Sequence, residues 1–356
     1  MSEFPDFDDV GSFPLPKGVK KEDYSKYYWM GYNKWLDTNK DSQALFNHKE
    51  INDFFIEPLI QSFKLKLDAG VEVINYPQHI DMYNQFLKPL EDFETEPALI
   101  EQDKAYILEN VILKEFAKDV YEETHEALNV KLCITGPIEL YIKRRDFTIY
   151  SDLALNYAKT VNRFLKNSIF NTKYIKTSTI SIDEPSFGFV DLVNVDNDEL
   201  ITIFDKSLEN IDCINQIHLH TLALSRVPLQ TENIDILTCE YASDNSNVIA
   251  KKELDKNDKY IRVGITRTNY DNIMAETLDE GTSHEHLKTL EGKKELIDSK
   301  EMIEHNLRTA IDHYGDRLKF IGPDCGLSSW QPPELAFQLL KRTSEVIKKV
   351  KTDKNS

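Results

Sequence analysis

Two imidazoles stand two residues apart in Gln216-Ile217-His218-Leu219-His220-Thr221, where the chain reads as the end of a buried β-strand. Side chains alternate faces along a strand, so His218 and His220 point one way and Leu219 the other. Two same-facing histidines at a strand end can close on one metal ion. An isolated pair of this spacing is more often two polar residues hydrogen-bonded at a strand terminus, so its neighbours decide. Other apolar runs also end in residues that could do chemistry: Gly11-Ser12, Gln78-His79, Asp183-Glu184, Glu240 and Cys325. Thiolate, imidazole and carboxylate are the ligands zinc takes in tetrahedral sites. Each residue has a plain alternative: Glu240 as a charge paired with lysine, Asp183 as a turn cap in Asp-Glu-Pro, Cys325 as an inert thiol. The occurrence of one such feature at each of several strand ends favours a shared site.

The elements that would position them alternate. Strands are expected near Asp8–Val10 and over 71–76, 130–135, 179–183, 215–220, 234–240, 260–265 and 318–322. Helices are expected over roughly 48–69, 81–128 with a break at Glu94-Thr95-Glu96-Pro97, 151–167, 197–208, 284–314 and 333–351. About eight short apolar strands, most followed by helical sequence, predict an α/β fold, a (β/α)8 TIM barrel formed by residues 1–351 as one domain, with 352–356 as a frayed tail. A doubly wound sheet is the main competitor, but no GxGxxG follows the first strand. In a barrel the active site gathers at the C-terminal strand ends, where these polar residues fall.

The composition of the 356 residues, 40% hydrophobic and 29% charged, suits a globular protein. A formal charge of −18 argues against nucleic acid as a partner. No run of about 18 apolar residues predicts a membrane span. The start lacks the basic-then-apolar pattern of a secretory signal, and the four cysteines (133, 213, 239, 325) have no CxxC spacing, so a reducing cytoplasm is expected. Cys133 and Cys213 lie in apolar strands and read as packing residues.

The chain resembles the catalytic, C-terminal barrel of cobalamin-independent methionine synthase, in the short single-barrel form found in archaea; the wider class includes uroporphyrinogen-decarboxylase-like barrels. The resemblance rests on Val10-Gly11-Ser12-Phe13-Pro14, Ile134-Thr135-Gly136-Pro137, Ile182-Asp183-Glu184-Pro185, His218-x-His220, Glu240 and Pro323-Asp324-Cys325-Gly326-Leu327, in that order along the chain. It implies one zinc ion that binds the thiol of homocysteine, with a methyl group passed to that thiol. His218, Glu240 and Cys325 match the family's ligands; His220 stands where the family has Cys. By the same resemblance Asp183 would bind the substrate's amino group, and Gly11 and Ser12 its carboxylate. Gln78 stands after the second strand, where the family has a Glu that helps hold the ammonium. Near the seventh strand the family's Asp-x-His is replaced by Arg267 and Asn269. The methyl donor implied is a methyl-folate or, as in short archaeal relatives, a methylcorrinoid protein. Another small thiol such as coenzyme M as acceptor, or a diverged non-catalytic barrel, are the rival expectations.

Overall fold

The computed structural model describes residues 4–355. Its main sheet has eight strands, all parallel: β1 (Asp6–Phe7), β2 (Ile74–Asn75), β3 (Leu128–Thr135), β4 (Ile175–Asp183), β5 (Ile214–His218), β6 (Ile236–Cys239), β7 (Tyr260–Thr266) and β8 (Leu318–Pro323). Each pairs with its sequence neighbours, and β8 returns to β1. The edges β1 and β2 meet through a parallel bridge between Asp8 and Val73, with the Glu72 and Val73 N–H groups donating to the Phe7 carbonyl at 2.9 and 3.0 Å. The sheet therefore closes into the expected barrel. Strands covered on both sides need apolar residues on both faces, which is why β3, β6 and β8 are mostly apolar, with polar residues such as Lys131 of β3 and Gln216 of β5 kept for the lumen.

The lumen is not wholly apolar. The buried Asp8 carboxylate accepts from Lys131 Nζ at 2.9 Å, Arg262 Nε at 2.6 Å and Gln216 Nε2 at 3.3 Å. These side chains come from just after β1 and from β3, β7 and β5, strands that are not adjacent, so they can meet only inside the barrel. One layer supplied by alternate strands is the packing rule of this fold; here the layer is an ion network. One carboxylate against two cations leaves the lumen with an excess positive charge beneath the mouth.

The helices form the outer shell. Asn197–Ser207 begins with a capping box, Asp196 accepting from the Glu199 N–H and Glu199 from the Asp196 N–H, each at 2.9 Å. The predicted 48–69 helix is present as a turn at Lys49–Ile51, a wider turn over Asn52–Ile56 and a helix over Glu57–Ala69. The segment 81–128 divides into helices Asn84–Asp92 and Leu108–Thr124 around a small hairpin, Glu94–Glu96 with Leu99–Ile100, at the expected break. The last helix runs from Pro333 to Asn355, through residues 352–355 where a frayed tail is expected. Helices over Lys21–Asp37, Pro137–Arg144 and Tyr270–Asp279 have no counterpart in the sequence reading. Lys21–Asp37 buries Tyr24, Tyr28, Tyr32 and Trp35, with Tyr24 and Tyr28 edge-on to Phe55 and Trp35 edge-on to Tyr106, a stripe whose polar rings blur its apolar periodicity.

Candidate metal centre

β4, β5, β6 and β8 deliver the chemistry. Asp183 is the last residue of β4 and His218 the last of β5, while Glu240 directly follows β6 and Cys325 lies two residues past β8. His220 is beyond the strand rather than in it, yet its ring stands 5.4 Å from that of His218, at 78°. One ligand atom from each of His218, His220, Glu240 and Cys325 lies within 4.8 Å of all the others. Cys325 Sγ is 3.6 Å from Nε2 of both histidines, and His220 Nε2 is 3.5 Å from Glu240 Oε1. Tetrahedral bonds of zinc to nitrogen, oxygen and sulfur place neighbouring donors about 3.3–3.6 Å apart, which these three separations match within a set that spans up to 4.8 Å.

The electrostatics fit as well. Burial, then repulsion from His220, Arg262 and Lys131, holds His218 well below the ordinary imidazole range, and burial lowers His220 too. Both rings are neutral, as a ligand must be. Burial, helped by the Asp324 carboxylate, pushes Glu240 up to about 8, and burial with Glu240 alongside drives the Cys325 thiol up. Two acids are thus held without a counter-cation, and Glu240 Oε1 is buried with no hydrogen-bond partner. A divalent ion would answer both.

Supporting groups orient the donors. Thr238 Oγ1 lies 3.2 Å from His218 Nδ1 and accepts from the Leu219 N–H at 3.0 Å. With Nε2 facing the cluster, Nδ1 carries the proton and donates it to Thr238, a common outer contact of metal-bound histidine. The Cys325 N–H donates to Thr268 Oγ1 at 3.1 Å. Thr238 is absent from the sequence reading, although the register that pairs Ile217 with Leu237 sets it beside His218.

The cluster opens on a cavity of about 920 Å³ whose lining includes Ser12, Gln78, Asp183, His218, His220 and Cys325. Asp183 accepts from Ser181 Oγ at 2.8 Å and from Gln78, and burial raises it to about 7 against those lowering contacts. Gly11 does not line the cavity. Its φ of +147° and the position of Gln78 Oε1, 2.2 Å from where a Cβ would stand, show that it gives Gln78 room. Arg267 is engaged by Asp298 and Glu276, and Asn269 caps the helix at Tyr270 by accepting from the Asn272 N–H. Neither Arg267 nor Asn269 lines the cavity.

The fold and its mouth define a parallel α/β barrel with a candidate four-donor metal centre. The relatives narrow this. A methionine synthase of Methanocaldococcus jannaschii is 25% identical over 96% of this chain and 98% of its own. A methionine synthase of Sulfolobus acidocaldarius is 22% identical over 60% of this chain and 54% of its own. The solved structure of a B12-independent methionine synthase from Shewanella sp. W3-18-1, in complex with selenomethionine, superposes with a TM-score of 0.60 at 16% identity, over 99% of both chains. No family model matches. The resemblance to the cobalamin-independent methionine synthases, drawn from the sequence, is borne out by these relatives. The expected methylcorrinoid partner finds no support among them. Among the described residues no helix is long and apolar enough to cross a membrane.

Proposed function

We propose that the protein is a zinc-dependent methyltransferase that methylates the thiol of homocysteine to give methionine. The observation that carries this reading is the convergence of His218, His220, Glu240 and Cys325 within 4.8 Å of one another beside the cavity, with Glu240 Oε1 unsatisfied. The methionine synthases among its relatives support the same chemistry. Zinc held by these four residues would lower the pKa of an incoming thiol and keep it as a nucleophilic thiolate at neutral pH.

The protein's own residues supply the rest. Asp183 offers a carboxylate to the acceptor's ammonium, with Ser181 and Gln78 fixing its orientation. Ser12 stands on the cavity wall for the acceptor's carboxylate. A cavity of about 920 Å³ exceeds what a small amino acid fills, and its lining continues through Phe13, Leu15, Ile80 and Met82 to Lys17 and Lys21. That apolar wall with cationic residues suits a large anionic methyl donor, and methyl-folate is the donor we assign. The methyl carbon leaves the donor nitrogen for the thiolate sulfur, and the nitrogen takes a proton.

Methyl transfer to homocysteine and to coenzyme M, each with methyl-folate and zinc, tests the reading. Methionine formation that stops when zinc is withdrawn is the expected result. Gln78, which brings no charge to an ammonium, makes coenzyme M the informative rival; faster methylation of it would overturn homocysteine as the acceptor.

A further inference from the structure

We infer that Asp324 is a positioning residue for the metal centre: its carboxylate ties the loop that carries Glu240 to the loop that carries Cys325 and so sets the separation of those two donors. The inference rests on the metal-binding reading above and extends it to a residue outside the four-donor set.

Asp324 is buried, directly precedes Cys325 and is not among the converging donors. Its side chain turns instead toward the segment just after Glu240. Oδ1 accepts from the Ala242 N–H at 3.1 Å, and Oδ2 from the Ser243 N–H at 2.7 Å and Ser243 Oγ at 2.6 Å. Three donors on one carboxylate make a strong and directional clamp. The Cys325 side of it is fixed independently, because the Asp324 N–H donates to the Thr266 carbonyl at 2.9 Å and the Cys325 N–H to Thr268 Oγ1 at 3.1 Å. β7 therefore anchors the Cys325 loop, and Asp324 reaches from that anchor to hold the Glu240 loop. Gly264 completes the fit: a Cβ there would lie 1.9 Å from Asp324 Oδ1. Glu240 lies just past a strand that ends at Cys239; the Ala242 N–H also reaches the Gly264 carbonyl at 3.2 Å, and the Asp324 clamp adds the contacts that tie this segment to the Cys325 loop.

An amide at 324 has the carboxylate's shape but only one oxygen for two main-chain donors. Asp324→Asn must leave one of them facing an N–H, and the Glu240 loop shifts. Ser243→Ala removes a single contact and leaves the carboxylate in place. Ser246→Ala is the control, since that hydroxyl sits on the same loop but donates to Asp244 at 2.6 Å.

The full-length protein, stripped of metal, is titrated with zinc against a chromophoric chelator, and its thermal midpoint without metal is recorded alongside. We expect Asp324→Asn to bind zinc about 10–100-fold more weakly than wild type, the usual effect of losing an outer partner. Ser243→Ala should fall between the two, and Ser246→Ala should match wild type. The metal-free midpoints of Ser243→Ala and wild type should agree, which separates positioning from folding. Zinc affinity within twofold of wild type in Ser243→Ala and in folded Asp324→Asn would overturn the inference. If Asp324→Asn does not fold, Ser243→Ala decides alone. Wild-type zinc binding that survives Cys325→Ala would be a different failure, that of the metal site itself.

Discussion

At the scale of single residues, His220 is the departure that matters. An imidazole in place of a thiolate removes one negative charge from the donor set, which strengthens the ion's pull on a substrate thiol and lowers electron donation to the sulfur. Its Nε2 nevertheless sits at ligand spacing from both Cys325 and Glu240. We predict that His220→Ala weakens zinc binding by more than about 100-fold, since loss of a mere outer partner costs 10–100-fold; equilibrium dialysis with unchanged affinity would exclude His220 as a ligand. Asp183 carries a second prediction. Burial holds its carboxyl near 7, and only the ionised form attracts an ammonium. The KM for homocysteine should therefore fall as pH rises from 6 to 8. Asp183→Asn should raise KM about 10–100-fold, the worth of one charged hydrogen bond, and lose that pH limb. The same KM and slope in the variant would remove Asp183 from substrate binding.

At the scale of elements, the loop that carries Gln78 hangs on a buried carboxyl. Glu109, in the helix Leu108–Thr124, accepts from Tyr24 at 3.4 Å, from Gln85 at 2.5 Å and from the His79 main chain, joining three helices to that loop. Burial raises it to about 8 from an ordinary 4.5. The folded chain keeps this proton where the unfolded chain has released it. Stability should then decline as pH rises from about 4.5 to 8 and level off above. Glu109→Gln keeps the shape without the charge. It should be flatter across that window and more stable than wild type at pH 8.5, by on the order of a few kcal/mol. Urea unfolding at pH 5.5 and 8.5 reads this, and equal slopes for both proteins would contradict it. The elements also show what sequence reading reaches. Buried parallel strands announce themselves as apolar runs, so the barrel and the strand-end residues His218, Glu240, Cys325 and Asp183 were legible. The helix Lys21–Asp37 was not, because tyrosines make its buried stripe. Nor were Thr238 and Asp324, whose roles come from strand register and from a loop-to-loop contact that no single stretch displays.

At the scale of the whole molecule, the barrel brings together donors spread over more than a hundred residues and sets them above an ion network of Asp8, Lys131, Arg262 and Gln216. Burial raises the Asp183 and Glu240 carboxyls at the mouth and keeps His218 neutral; the Arg262 charge beneath offsets part of the first effect and adds to the second. A ligand that binds only the closed barrel stabilises it, by about 2.7 kcal/mol at a free concentration 100 times its Kd. Zinc should accordingly raise the thermal midpoint of metal-free protein, and a chelator should reverse the rise. No shift at saturating zinc would mean that the four donors are not gathered in the folded state. The most direct test of the central claim is a homocysteine titration of cobalt-substituted protein, followed by visible absorption. One cobalt per chain in wild type, a ligand-field spectrum that changes as the thiol binds, and loss of both in Cys325→Ala are the expected results. Cobalt retained by Cys325→Ala, or a spectrum indifferent to thiol, would contradict that claim.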